Sequence, residues 1–315
     1  GAARVVSSAY AKVLEGVEWE EEVLESYGVT EPVGVVERIT PWSLPRLQVV
    51  GKVAPAIAVC CTMVVNPSKE GTLNAFALSD IIHDIGLPAG VFNLVSGHGR
   101  EIGEVLSSHP SVDMVSFTGS TGAGVRVSEL AAPSVKRVTL ELGGKSANII
   151  LDDADIGKAA GSAIYSCFNN SGQECSALTR LLVPESKHDE IIDVISSKMA
   201  RYTVGNPLDE SMRCGPMASK RQQENVAAHI ASGIAECAAL VAGGEGMQDG
   251  LDSGYYVKPT VFAAVTPAMA IFREEFFGSV PSITAYSTED EAIALANDYD
   301  YGPADGVWSC GKERG

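Results

Sequence analysis

Cys175 and Glu141, 34 residues apart, are the two side chains in this sequence whose types and surroundings suit a two-step thiol reaction. A cysteine is a soft nucleophile that can carry an acyl group as a thioester, and a carboxylate elsewhere in the pocket can activate the water that cleaves it. Glu141 stands in Leu140-Glu141-Leu142-Gly143-Gly144-Lys145-Ser146, and Cys175 closes Phe168-Asn169-Asn170-Ser171-Gly172-Gln173-Glu174-Cys175. Taken singly, a buried cysteine is usually a small hydrophobe and a glutamate usually a solvated charge, so the weight lies on the pair of motifs. A cysteine hydrolase, in which histidine would activate Cys175, is discounted because none of His83, His98, His109, His188 and His229 sits in a recognisable partner motif.

The elements that must position these residues alternate between strand and helix signals, which predicts an α/β layer architecture. Residues 33–39 read as a strand, 44–57 as a helix and 62–65 as the next strand. A helix over 73–85 ends at Gly86-Leu87-Pro88, and a strand over 91–95 leads to Gly97-His98-Gly99. A helix over 100–107 and a strand over 113–117 complete this repeated unit. Two strand-to-helix turns, Gly97 to Gly103 and Phe117-Thr118-Gly119-Ser120, could offer free backbone amides to a phosphate. The alternative for each is a tight turn that needs glycine for its backbone angles. The acidic run from Gly16 to Glu25 reads as a solvated segment.

Composition narrows the function classes. At 315 residues the chain is long enough for two packed domains. A net charge of −17 without a basic cluster argues against nucleic acid and anionic membranes as partners. The longest apolar run, Val53 to Val65, contains Pro55 and Thr62 and falls short of the ~20 residues a membrane span needs. The start of the chain shows no secretory signal. Seven cysteines, an odd number without zinc-type pairs or a disulfide framework, suit a reducing cytosol and suggest no metal site.

Leu140 to Ala147 resembles the glutamate signature of the aldehyde dehydrogenase superfamily, and Phe168 to Thr179 resembles its cysteine signature. Ile39-Thr40-Pro41-Trp42-Ser43, Ser116 to Gly122, Lys258 to Phe262 and Glu274-Glu275-Phe276-Phe277-Gly278 follow in the family's order, so the resemblance covers most of residues 32 to 309. It implies a Rossmann-type cofactor domain over 32–143 and a catalytic thiol domain over 144–315, preceded by an N-terminal remnant and bridging hairpin over 1–31. It also implies further helices before Ala2 and a further catalytic and oligomerising segment after Gly315, with homo-oligomers in full-length members.

By the same resemblance, the activity is non-acylating oxidation of an aldehyde to a carboxylic acid with NAD or NADP. Cys175 as thiolate would attack the aldehyde carbon, with the oxyanion held by its own amide and by a side chain following Ile39-Thr40-Pro41-Trp42. Glu141 would then activate the water that releases the acid. Lys52 resembles a family lysine near the active site, although a long cation on a helix is more often at the surface. The cofactor would be held by Ile39, Thr40, Pro41 and Trp42, by Asn66 and Lys69, by Gly97, Gly99 and Gly103, by Phe117, Thr118, Gly119 and Ser120, by Leu142 and Gly143, and by Glu275 and Phe277.

Three positions depart from the family pattern. Ser43 replaces the asparagine that donates to the oxyanion, and its hydroxyl is shorter than a carboxamide; losing one such donor typically costs about 10²–10³ in turnover. Asn66 and Lys69 stand where a lysine and a glutamate normally clamp the adenosine ribose, and Lys69 in place of a carboxylate opens the site to a 2′-phosphate. Ser279 replaces a proline, and Pro303 and Asp305 alter the segment after Tyr301-Gly302. The rival reading is a catalytically impaired or inactive homologue that retains the fold. An acylating relative, which would pass the thioester to coenzyme A, needs no glutamate base and is disfavoured by Glu141.

Overall fold

The computed structural model describes residues 2–314; Gly1 and Gly315, the outermost residues of the expected domains, lie outside them. The chain divides into two compact units, Gly1–Leu142 and Gly143–Gly315.

In the first unit, helix α1 (Ala2–Glu15) precedes a hairpin of β1 (Glu20–Val23) and β2 (Ser26–Val29). The hairpin pairs Glu20 with Val29 and Val23 with Ser26, and both strands are exposed throughout, so the Glu20–Val23 part of the acidic run is solvated although it forms a strand. There follow β3 (Val35–Thr40), α2 (Pro45–Ala58), β4 (Thr62–Pro67), α3 (Thr72–Asp84), β5 (Phe92–Leu94), α4 (Gly99–Ser108), β6 (Met114–Thr118), α5 (Thr121–Ala131) and β7 (Arg137–Glu141). The five strands from β3 to β7 form one parallel sheet in the order β5-β4-β3-β6-β7. Strands buried on both faces can be apolar almost without a break, which is why Val35-Val36, Met63-Val64-Val65 and Val115 occur here. One core joins Val36, Met63 and Val65 to Val49 and Val53 of α2 and Ile82 of α3; another joins Val115 and Phe117 to Val127 of α5. The chain leaves β3 for β4 on one side and returns to β6 on the other. Its direction of winding therefore reverses between β3 and β6, the position at which doubly wound sheets open a crevice at the carboxyl ends of their strands.

The second unit contains β8 (Ala147–Ile150), α6 (Ile156–Phe168), β9 (Arg180–Pro184), α7 (His188–Met199), α8 (Lys220–Ala235), β10 (Ala239–Ala242), β11 (Val261–Ala263), α9 (Ala270–Arg273), β12 (Ser282–Tyr286), α10 (Glu289–Asn297) and β13 (Gly306–Trp308). Its six strands run β10-β11-β12-β9-β8-β13, with only β10 antiparallel to its neighbour. Several helices start where a short polar side chain accepts a free amide: Asp155 from Lys158, Ser219 from Gln222 and Thr288 from Glu291. The core lies on both faces of this sheet, with Leu182, Phe262 and Ile271 in one layer and Ile150, Ile164 and Ile191 in the other.

Candidate active site

In the first unit, the residues expected to hold a dinucleotide collect at the carboxyl edge of the parallel sheet. Ile39 pairs with Phe117, which places Thr40 and Thr118 side by side at the ends of β3 and β6. Both hydroxyls are buried, and neither has a hydrogen-bond partner among the described residues. Two orphaned hydroxyls at this position leave capacity for an incoming polar group, because buried polar atoms are nearly always paired. Gly97, Gly99 and Gly103 follow β5, with Gly97 and Gly99 exposed and Gly103 buried under Ile39 and Asn66. A Cβ on Gly103 would lie 3.4 Å from the Ile39 side chain and 3.9 Å from Asn66 Oδ1. Helices α4 and α5 begin at Gly99 and Thr121 without a side-chain cap, and Gly119 and Ser120 lead into α5. Free amides at helix starts and hydroxyls without partners fit the phosphates and ribose of a dinucleotide.

The remaining positions of this unit are placed as follows. Pro41 and Trp42 are half-buried and Ser43 is buried, just before Leu44, which adopts a left-handed backbone (φ 46°) ahead of Pro45 at the start of α2. Lys52 is buried, unlike most long cations on helices, and its Nζ donates to Ser116 Oγ at 2.8 Å. Burial, with the charge of Arg38, brings its pKa down to about 8, and the nearby Glu141 carboxylate opposes this. Asn66 is buried and donates its Nδ2 to the Val95 carbonyl at 3.0 Å, tying β4 to the end of β5. Lys69 is exposed and pairs with Glu70 at 3.5 Å. Glu141 is the last residue of β7 and is exposed, with Leu142 half-buried after it.

In the second unit, Cys175 follows an unusual turn. Asn170, Ser171 and Gly172 take left-handed backbone angles in succession (φ 50°, 56° and 73°). Each non-glycine residue there costs roughly 1–2 kcal/mol, so the turn must be held from outside. The Ser171 hydroxyl accepts from the Gly215 amide at 2.9 Å and donates to the Gly215 carbonyl at 3.1 Å. Gln173 Oε1 accepts from Ala218 N at 2.8 Å. Gly172 packs on the Gly278-Ser279 peptide with no room for a side chain. Asn170 and Gly172 are residue types that tolerate this backbone readily, whereas Ser171 is held in it by its two bonds to Gly215.

Cys175 is half-buried. Burial pushes its thiol above the ordinary range, and the charges of Glu275 and Glu174 push the same way, against the amides of Cys175 and Ser176. Glu275 reaches this region through two glycines. The Gly144 amide donates to Glu275 Oε1 at 3.0 Å, and a Cβ on Gly143 would strike the same carboxylate. A Cβ on Gly144 would strike Pro303 and come within 2.7 Å of the Cys175 carbonyl oxygen. Gly143-Gly144 is thus where Cys175 and Glu275 meet. Sequence reasoning singled out Gly143 but not Gly144, Lys145 or Gln173; the Gly-Gly pair, which leaves space for two neighbours at once, was the available signal.

The model of the aldehyde dehydrogenase family matches residues 2–314. The chain belongs to this family. A 3-succinoylsemialdehyde-pyridine dehydrogenase from Pseudomonas sp. is 48% identical over 304 residues, covering 96% of this chain and 64% of that protein. An Arabidopsis thaliana chloroplastic aminoaldehyde dehydrogenase is 41% identical over 313 residues, covering 97% of this chain and 62% of its own length. Among solved structures, a Mycobacterium tuberculosis aldehyde dehydrogenase complexed with NAD+ superposes with a TM-score of 0.96 at 42% identity, covering 100% of this chain and 65% of that one. This family member therefore spans about two thirds of the length of the relatives it matches, and it shares their α/β fold. Among the described residues, no helix is long and apolar enough to cross a membrane, and no group of three or more His, Cys, Asp or Glu side chains could hold a metal ion.

Proposed function

We propose that this chain oxidises an aldehyde to a carboxylic acid with NAD or NADP, using Cys175 as nucleophile and Glu141 as base. The observation that carries this reading is the placement of Cys175: a half-buried thiol at the end of a turn with left-handed backbone, braced by Ser171, Gly172 and Gln173. A backbone restrained to this degree sets a nucleophile in one orientation.

Cys175 Sγ, after losing its proton, bonds to the aldehyde carbon, and the negative charge moves to the former carbonyl oxygen. The Cys175 amide and the Ser43 hydroxyl are the donors assigned to that oxyanion. A bound nicotinamide dinucleotide supplies the hydride acceptor that allows this adduct to become a thioester. Glu141 takes a proton from water as its oxygen bonds to the acyl carbon; the carbon–sulfur bond then breaks, freeing the acid and returning Cys175 as thiolate. Lys52, buried and donating to Ser116, contributes positive charge near Glu141. Thr40, Thr118, Gly119, Ser120 and the uncapped starts of α4 and α5 would hold the diphosphate, with Gly97, Gly99 and Gly103 beside them. Trp42 and its preceding residues, Leu142, Gly143, Glu275 and Phe277 are assigned to the nicotinamide end. Asn66 and Lys69 are assigned to the adenosine ribose, where Lys69 favours tolerance of a 2′-phosphate. A reducing cytosol is the proposed setting for seven free cysteines, and a homo-oligomer is the proposed assembly of the whole protein.

The test is absorbance at 340 nm with NAD or NADP and a panel of short, aromatic and amino-aldehydes. Cofactor reduction by the wild-type chain and its loss in Cys175→Ala is the expected result. Retention of the rate in Cys175→Ala overturns the nucleophile. Glu141→Gln should form the acyl-enzyme and release it slowly; normal steady-state turnover in that variant removes Glu141 as base.

A further inference from the structure

Glu275 sits in a segment whose backbone is not at rest. After α9, the chain runs Glu274-Glu275-Phe276-Phe277, and Phe277 adopts a left-handed conformation (φ 53°) that a bulky side chain disfavours. Three side chains from elsewhere in the unit converge on the middle of this segment. Gln222, in the first turn of α8, donates its Nε2 to both the Phe276 carbonyl (3.0 Å) and the Phe277 carbonyl (2.9 Å). His229 lies two turns further along the same helix and stacks its ring on that of Phe276, with centroids 4.3 Å apart and planes inclined by 17°. Lys145, next to the glycine that donates to Glu275, places its Nζ 3.9 Å from the centre of the Phe276 ring.

Lys145 is 1% exposed, and its ammonium has no hydrogen-bond partner among the described residues. Burial brings the Lys145 pKa down to about 7, and an aromatic face is one of few surroundings that stabilise its charged form without a hydrogen bond. This arrangement would be costly if its only purpose were to fill space, because an apolar side chain of similar length would pack there without desolvating a charge. What it does accomplish is to fix Phe276, and the residue before Phe276 is Glu275. We propose that Lys145, Gln222 and His229 are positioning residues that clamp Phe276 and so hold the Glu275 carboxylate on the Gly144 amide, where its negative charge acts on Cys175.

The proposal builds on the role given above to Cys175, and its test needs neither aldehyde nor dinucleotide, so its outcome is separable from whether the chain turns over. The full chain is treated with iodoacetamide across a pH series, and the alkylation of Cys175 is read by mass spectrometry of its own peptide, which separates it from the other cysteines. Because the charge of Glu275 adds to burial in raising the pKa of Cys175, Glu275→Gln should speed alkylation at pH 8 severalfold and move its midpoint to lower pH. Gln222→Ala and Lys145→Met should move the alkylation midpoint the same way. The combination Gln222→Ala with Glu275→Gln should react no faster than Glu275→Gln alone, since the clamp acts only through Glu275. Should Lys145→Met not fold, Gln222→Ala, which alters a half-buried helix residue, carries the same comparison. The proposal is overturned if Gln222→Ala lowers the melting temperature and leaves the Cys175 alkylation curve at the wild-type position, or if its effect adds in full to that of Glu275→Gln.

Discussion

Arg180 Nε donates to the Lys145 carbonyl at 2.6 Å, and this bond ties the start of β9 to the loop that carries Gly143 and Gly144. The remaining guanidinium nitrogens donate to the carbonyls of Leu295 and Ala296 at 2.8 Å each. The group also lies over the rings of Tyr299, at 4.1 Å, and Phe272, at 4.8 Å. A planar fork with donors in several directions can reach one carbonyl in the Lys145 loop and two in α10 at once, which the compact ammonium of a lysine is not shaped to do. Arg180 is 0% exposed, so its removal would take a buried donor from three carbonyls, of which, among the described residues, Leu295 alone keeps a further bond, from the Asp298 amide at 3.3 Å.

Replacing Arg180 with Met is therefore expected to destabilise the chain by roughly 3–5 kcal/mol, the range for stripping one partner from a buried charged network. Arg180→Lys should recover only part of this loss. Urea denaturation of the three proteins checks the order. Equal midpoints for wild type and Arg180→Met would show that the three carbonyls find other donors.

Gly144→Ala tests the convergence at the double glycine. A methyl group there would collide with Pro303 and crowd the Cys175 carbonyl at 2.7 Å. Either the cysteine turn or the Pro303 loop must retreat, at a cost of about 1–3 kcal/mol for overpacking. The expected outcome is loss of most Cys175-dependent activity, with far-UV circular dichroism unchanged, since a displacement of about 1 Å can reduce catalysis about 10²-fold. Wild-type turnover in Gly144→Ala would place the tight contact outside the reaction path.

Much of the first unit was legible because its signals are local. The strand expected over 62–65 is β4, extended to Pro67, and the helix expected over 73–85 is α3 at Thr72–Asp84. Apolar runs bounded by Gly and Pro depend on neighbours in sequence, so one chain carries them. The alternation gave the α/β class, and the order β5-β4-β3-β6-β7 required coordinates. The interior of the second unit was less readable. Lys145, Gln222 and His229 come from segments up to 84 residues apart and meet only at Phe276, and no spacing rule connects them. The burial of Lys52 was equally hard to read: a long cation in a helix is more often solvated, and only the fold sets Ser116 on β6 to accept a hydrogen bond from it.

Ser43 offers a direct test of the assigned oxyanion donors. The position is buried, and a hydroxyl reaches less far than the carboxamide the family pattern carries. Ser43→Asn should raise kcat by up to about 10²-fold, the contribution typical of one well-placed donor, with KM changing little. Steady-state kinetics at saturating cofactor checks this. Unchanged kcat would mean that Ser43 is not in contact with the oxyanion.

Glu37 provides a prediction about pH that is independent of catalysis. Its side chain in β3 is 0% exposed; Oε2 accepts from Ser107 Oγ at 3.0 Å, and Oε1 has no partner among the described residues. Burial raises its pKa from 4.5 to about 8, against the Ser107 hydrogen bond and the charge of Lys136. The folded state therefore holds a proton that the unfolded chain releases near 4.5. The stability owed to that proton is fully present below pH 4.5 and is lost as pH rises through about 8. Over this window the loss is about 1.4 kcal/mol per pH unit, and it levels off above pH 8. Glu37→Gln keeps the shape and an acceptor for Ser107 but cannot ionise. It should show a flatter dependence between these limits and exceed the wild type at pH 9 by roughly 3–5 kcal/mol. Melting temperatures of both proteins from pH 5 to 9 decide the matter: parallel curves would mean that water or Lys136 solvates the ionised carboxylate inside the fold.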